Sequence, residues 1–237
     1  MSDFYALHTA TNYTGTSNEL RGCINDWKNM LILDDFLKIP QENRISLVGS
    51  NFKRDMAVQA VDHFATIMEP GDVLIGSNSS HGTFLDDFDG DEADGKDEAL
   101  VTDDCELILD DDIYVGLSKF REGTLVFAWL DNCHAGTLDR SFKIKNWHLT
   151  APGIKCNAVL LLGCAEDSYS ADAFIAGKYQ GALTACSLKA MKDHDYKLTY
   201  GELLEETNRI LRQSGFQQVA KMAVSSEELL NKTIFTM

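Results

Sequence analysis

The stretch Leu125-Val-Phe-Ala-Trp-Leu130 is an unbroken apolar run with β-branched and aromatic members. It has no polar face to offer to water, which predicts a strand buried on both sides of a sheet. The run stops at Asp131-Asn-Cys-His134, with Gly136 just beyond. A buried strand thus delivers a cysteine to the point where the chain leaves the sheet, and α/β folds place ligands and chemistry there. A second run, Val73-Leu-Ile-Gly-Ser77, leads in the same way to His81, which Gly82 follows in what reads as a polar turn.

One thiol and one imidazole at two strand ends suit a nucleophile and its base. A free thiol titrates near pH 8.5, and a neighbouring imidazole can generate or stabilise the thiolate. His81 then has the chemistry to activate Cys133 and to protonate a leaving amine. The backbone N–H groups of Gly82 and Cys133 are candidate oxyanion donors, because a glycine after the base lets the main chain approach a substrate closely. His134 is no substitute for His81, since the residue next to a nucleophile along an extended chain points to the other face.

Ser79-Ser-His-Gly-Thr83, Asp131-Asn-Cys-His-Ala-Gly136 and the acidic Asp89 to Leu100 together resemble the metacaspases, caspase-fold cysteine peptidases. The similarity runs from about Tyr5 to about Leu188. His81 and Cys133 are 52 residues apart, as expected for a family whose histidine lies roughly 50 residues before its cysteine. The resemblance implies an α/β, caspase-like three-layer fold with a central, mostly parallel sheet flanked by helices. It also implies a cysteine endopeptidase acting through His81 and Cys133, and a monomer.

Further residues take roles from that resemblance. Arg21-Gly-Cys-Ile-Asn-Asp26 matches a family motif, which implies that Cys23 and Asp26 line the primary specificity pocket; Ser79 matches a pocket serine. With Asp131 such a pocket is doubly acidic, complementary to Arg or Lys and hostile to Asp. In calcium-dependent members the ion's ligands fall at positions that look like Asp97, Asp111, Asp112 and Asp139. Plainer readings stand beside these: helix packing for Cys23, turn or cap roles for Asp26 and Asp131, and a solvated surface for the acidic residues. Ser80 replaces the family's usual Gly before the histidine, and Ala135 its usual Ser. The side chain at Ser80 leaves open slower catalysis, or a caspase-like pseudoenzyme that binds without turnover.

Charge narrows the partners. Lys and Arg number 21 against 37 Asp and Glu, a formal −16, which argues against nucleic acid or an anionic membrane and leaves peptide or protein substrates. Between Asp86 and Asp112 fourteen acidic residues face the single Lys96. Their spacing fails as an EF-hand because Glu92 stands where the turn glycine belongs, but hard oxygen ligands in excess still favour calcium. The stretch from Thr137 to Ala151 carries Arg140, Lys143 and Lys145, a candidate self-cleavage loop for a basic-specific peptidase. Six cysteines without a Cys-x-x-Cys pair, no bilayer-length apolar segment and no leader pattern lead us to expect a cytoplasmic protein with reduced thiols.

For the rest of the chain we expect strands at Phe4–His8, Arg44–Val48 and Asn157–Leu162, and an edge strand at Gln217–Val224. Helices are expected after Ser17, as N-cap to a Leu20, Ile24, Trp27, Leu31 stripe, then over Met56–Met68 and Leu198–Leu211. No linker divides the chain. It reads as one domain, 1–237, with a large-subunit-like part to about 140, a connecting loop to about 156 and a small-subunit-like part from about 157.

Overall fold

A computed structural model describes residues 2–86, 96–134, 153–164, 173–175 and 177–236, with the backbone alone for 84–86, 96, 97, 133, 134 and 164. Five strands form the parallel heart of the sheet: β1 (Phe4–Ala10), β2 (Arg44–Val48), β3 (Val73–Asp86), β6 (Leu125–His134) and β7 (Asn157–Cys164). Their order is β2-β1-β3-β6-β7, and β10 (Val219–Val224) closes the far edge antiparallel to β7. β4 (Lys96–Val101) pairs antiparallel with the end of β3, and β5 (Leu107–Leu109) with β4; a separate hairpin joins β8 (Ala173–Ile175) and β9 (Lys178–Gln180).

Helices cover both faces, giving the expected three layers. One core joins the sheet to α1 (Cys23–Phe36), α4 (Ala182–Asp193) and α5 (Tyr200–Gln213), through Met30, Leu33, Phe127, Trp129, Leu183 and Leu203. A second core joins the other face to α2 (Arg54–Ile67) and α3 (Asp110–Ser118), through Leu7, Phe64, Leu74, Leu117 and Leu160. Strand alternation sorts the residues: even positions of β3 and β6 face α2 and α3, and odd positions face α1 and α4.

Three expectations need correction. α1 begins at Cys23 rather than after Ser17, with Leu20 outside it, and its N-cap Gly22 has no side-chain cap. The Asn12 Oδ1 instead accepts the Ile24 N–H at 3.2 Å, so a turn eleven residues upstream satisfies the helix start. The buried face of α1 is Cys23, Asp26, Met30, Leu33 and Asp34, not the stripe through Ile24 and Leu31; polar Asp34 is buried because it pairs with His8 at 3.1 Å. Gly82 does not turn. β3 runs on to Asp86 because β4, part of the stretch read above as a solvated acidic surface, supplies ladder partners from Leu100 to Lys96.

Trp129 shows how the core supports the site. It is fully buried on β6, its ring lies 4.0 Å from that of Phe127, and its Nε1–H donates to Ser187 Oγ of α4 at 3.0 Å. Trp129→Ala is expected to lower unfolding free energy by roughly 3–5 kcal/mol, the usual cost of so large a void, measured by urea denaturation.

Candidate active site

β3 and β6 pair in register, with Ser79 opposite Asp131 and His81 opposite Cys133. Adjacent strands lie about 4.8 Å apart, so the two chemically distinctive residues of the sequence become neighbours at the ends of the two central strands. Gly82 sits one row further on, opposite His134.

The imidazole of His81 is held from two sides. Its Nε2 lies 2.8 Å from the carbonyl oxygen of Asn18, and a carbonyl only accepts, so Nε2 carries the hydrogen and the neutral ring keeps Nδ1 as its acceptor. The Tyr13 ring lies 4.8 Å from the imidazole, and the Tyr13 hydroxyl accepts the His81 N–H at 3.1 Å while donating to Val101 O at 2.6 Å. Burial raises the Tyr13 phenol well above its ordinary value, so it stays a neutral donor. Neither Asn18 nor Tyr13 was found by reading the sequence. Asn18 acts through its backbone, which leaves no trace in residue type.

Ser80 is turned away from this chemistry. Its fully buried hydroxyl donates to Asn78 Oδ1 at 2.9 Å and to His81 O at 3.1 Å, and it accepts from Asn132 Nδ2 at 3.2 Å. It takes an ordinary strand conformation, with no positive φ. The freedom expected to be lost with the glycine is therefore not needed at position 80 in this strand.

The odd face also gathers two carboxylates. Asp26 accepts the Ser79 hydroxyl on Oδ2 at 2.8 Å and the Gly181 N–H on Oδ1 at 2.9 Å. Asp131 Oδ2 accepts both the N–H and the hydroxyl of Thr184 at 2.9 Å. Gly181 caps α4 and Thr184 lies in its first turn, so the unpaired N–H groups of one helix start hold both acids. A β-carbon on Gly181 would lie 2.1 Å from Asp131 Oδ2 and 2.9 Å from Asp26 Oδ2, so only glycine leaves room for the two to face each other.

Asp131 is 1 % exposed, and its carboxyl is raised above the usual carboxylate range by that burial, opposed by Thr184 and by the nearby Gln218 amide. Neither Asp131 Oδ1 nor Gln218 Nε2 meets hydrogen-bond geometry among the described residues. The two acids thus lie side by side at the start of α4, with hydrogen-bonding capacity left unspent at Asp131 Oδ1. Cys23 is buried at the start of α1, three residues before Asp26, and contributes its small apolar side chain to that packing.

The expected calcium positions are only partly described. Asp112 is committed to Arg54, whose Nη2 lies 2.7 Å from its Oδ1, and its Oδ2 accepts the Leu109 N–H at 3.1 Å to cap α3. Asp111 is exposed beside it. Among the described residues no three His, Cys, Asp or Glu side chains gather as metal ligands. The Asp97 side chain and Asp139, Arg140, Lys143 and Lys145 lie outside the described residues.

The caspase-domain family (peptidase C14) matches residues 6–231. The chain is 30% identical to metacaspase-2 of Trypanosoma brucei brucei, over 96% of this chain and 75% of that protein. It is also 30% identical to metacaspase-1 of Arabidopsis thaliana, over 89% of this chain and 65% of that one. A Geobacter sulfurreducens protein of known structure superposes with a TM-score of 0.75 at 22% identity, covering 99% of both chains. The Drosophila initiator caspase Dronc superposes at 0.59 and 10% identity, over 94% of this chain and 80% of that one. The fold and the family are those of a caspase-type cysteine endopeptidase. Within that class the chain belongs to the metacaspases. Among the described residues no helix is long and apolar enough to cross a membrane.

A raised carboxyl pKa in the folded state means that the native protein holds the proton more tightly than the unfolded chain. Stability is therefore lost as pH rises from the ordinary carboxylate value to the raised one. Asp131→Asn, which keeps an acceptor for Thr184 without the buried charge, is expected to raise Tm at pH 7 and to narrow the gain to nothing near pH 3, measured by differential scanning calorimetry across that range.

Proposed function

We propose that this metacaspase cleaves peptide bonds after Arg or Lys, with Cys133 as nucleophile and His81 as acid and base. The observation that carries the reading is the Asp26–Asp131 pair facing across Gly181, with Asp131 two residues before Cys133 in the row opposite Ser79. Two buried carboxylates side by side are costly without a cation. An Arg or Lys side chain from a substrate supplies it, with Ser79 and the unspent Asp131 Oδ1 as further acceptors. An Asp side chain in the same place adds a third negative charge and is rejected.

In the mechanism, His81 Nδ1 takes the Cys133 thiol proton while Nε2–H stays on the Asn18 carbonyl, which fixes the ring's tautomer. The thiolate attacks the carbonyl carbon after the Arg or Lys. The resulting oxyanion is proposed to rest on the backbone N–H groups of Gly82 and Cys133. The C–N bond breaks as His81 returns the proton to the departing amine, leaving a thioester on Cys133. Water, deprotonated by Nδ1, then releases the acid. The other described thiols are poor competitors where buried, since burial pushes Cys156 and Cys186 up to about 11. Cys105 is exposed and is the thiol to control for.

Matched fluorogenic peptides ending in Arg, Lys or Asp test this directly. Turnover of the Arg and Lys peptides that vanishes in Cys133→Ala is expected, with kcat/KM falling roughly 30-fold or more in Asp131→Asn. Because the charged form of Asp131 is lost as pH falls through a raised pKa, the acid limb of kcat/KM is expected above the ordinary carboxylate range in the wild type and to move in the variant. Selective cleavage after Asp would sink the pocket assignment. Self-cleavage after Arg140, Lys143 or Lys145 is part of the same proposal, and the same preparations analysed by mass spectrometry should show the new N-terminus only when Cys133 is present.

Calcium stimulation is likewise proposed, with Asp97, Asp111, Asp112 and Asp139 as its ligands. Asp112 has to exchange Arg54 for the ion. Arg54→Ala is therefore expected to lower the calcium concentration for half-maximal turnover and to tighten binding seen by titration calorimetry; an unchanged midpoint would remove Asp112 from the ligand set.

A further inference from the structure

On the face of the sheet away from His81, a cavity of about 190 Å³ lies between β3, β6 and the helices α2 and α3. Its origin is a coincidence of small residues from four elements. Gly76 and Ala128 form the floor, and Ala57 and Gly116 stand on the helices above. The floor cannot thicken at Gly76, where a β-carbon would come 2.9 Å from that of Ala128.

The void reaches the centre of the sheet. β6 is flanked by β3 and β7, yet Ala128 and Leu130 on its cavity side stay partly open, while Phe127 and Trp129 on its other side are fully sealed. Nearly all of the lining is hydrocarbon, with Val58, Val61 and Leu160 among it. Charged groups reach it from the helices, through Asp62, Asp112 and Lys119, and neutral polar groups close the sheet end, where Asn78 Nδ2 donates to Thr9 Oγ1 at 2.7 Å. A dry apolar cavity of roughly 150 Å³ is already enough to take up benzene. The space here suits a somewhat larger flat ring.

That polar end leads to the active site. Asn78 Oδ1 accepts from Ser80 Oγ at 2.9 Å and from Asn132 Nδ2 at 2.6 Å. Ser80 and Asn132 are the residues immediately before His81 and Cys133. A molecule that touches Thr9 or Asn78 therefore presses on a short buried network directly behind the two strand ends.

We propose that this cavity is a regulatory binding site for a small aromatic molecule of about indole size, carrying one ring N–H or hydroxyl toward Thr9 and Asn78. Occupancy shifts the Asn78–Ser80–Asn132 network and thereby changes peptide turnover. The site stands independently of the Arg or Lys preference.

Indole is the probe. Titration calorimetry with the wild-type chain is expected to show saturable one-to-one binding, and saturating indole to change kcat for the chain's best peptide substrate at least twofold. Ala128→Leu fills the floor and Ala57→Leu the ceiling; each is expected to weaken indole at least tenfold while keeping Cys133-dependent turnover. The second variant serves if the first does not fold. Absence of saturable binding to the wild type, or binding that both filled variants retain, overturns the site. Binding that the variants lose, with kcat unchanged by indole in the wild type, overturns its regulatory role. A chain that cleaves no peptide still answers the binding arm, so failure of the peptidase reading is distinguishable from failure of the cavity.

Discussion

The in-register parallel pairing of β3 with β6 is the constraint on which everything else depends. Because side chains alternate along a strand, one register aligns Ser79 with Asp131 and His81 with Cys133, and a slip by a single residue would send one strand's set to the opposite face. The alternation also divides labour. The odd face of β3 and β6 carries His81, Ser79 and Asp131 against α1 and α4. The even face carries Asn78, Ser80 and Asn132 into a closed polar network and, further back, the cavity floor.

Holding two acids in a buried pocket needs donors and space, and two elements supply them. The start of α4 offers N–H groups that its own turns leave unpaired, and these take Asp26 and Asp131. Glycine at 181 removes the β-carbon that would occupy the gap between them. Gly163 does the same beside Gln218, where a β-carbon would lie 2.5 Å from Nε2. The pocket is thus shaped by atoms that are missing as much as by those present. Burial raises the Asp131 carboxyl, a local cost held in place by the surrounding packing.

Legibility followed the kind of signal each element carries. Arg44–Val48 was read to the residue, and Asn157 as the start of β7, because short segments rich in branched apolar residues between polar turns have few other solutions. The start of α1 was misplaced because its cap is Asn12, across a loop, and no local pattern reports that. The strands β4 and β5 and the helix α3 were hidden inside an acidic stretch that composition reads as solvated. Ladder partners from β3 and the Arg54–Asp112 pair decide otherwise.

By itself the sequence determined the chemistry available and the fold that presents it: two buried strands leading to an imidazole and a thiol. Those follow from residue type and period, which are local. Only the tertiary structure decided which atom orients His81, where the Ser80 hydroxyl is bound, that glycine at 181 sets the spacing of the acids, and that four small residues leave a cavity behind the site. Each of these rests on a backbone carbonyl, a conformation or an empty volume shared between distant segments, and a sequence records side chains, not the spaces and main-chain groups that folding brings together.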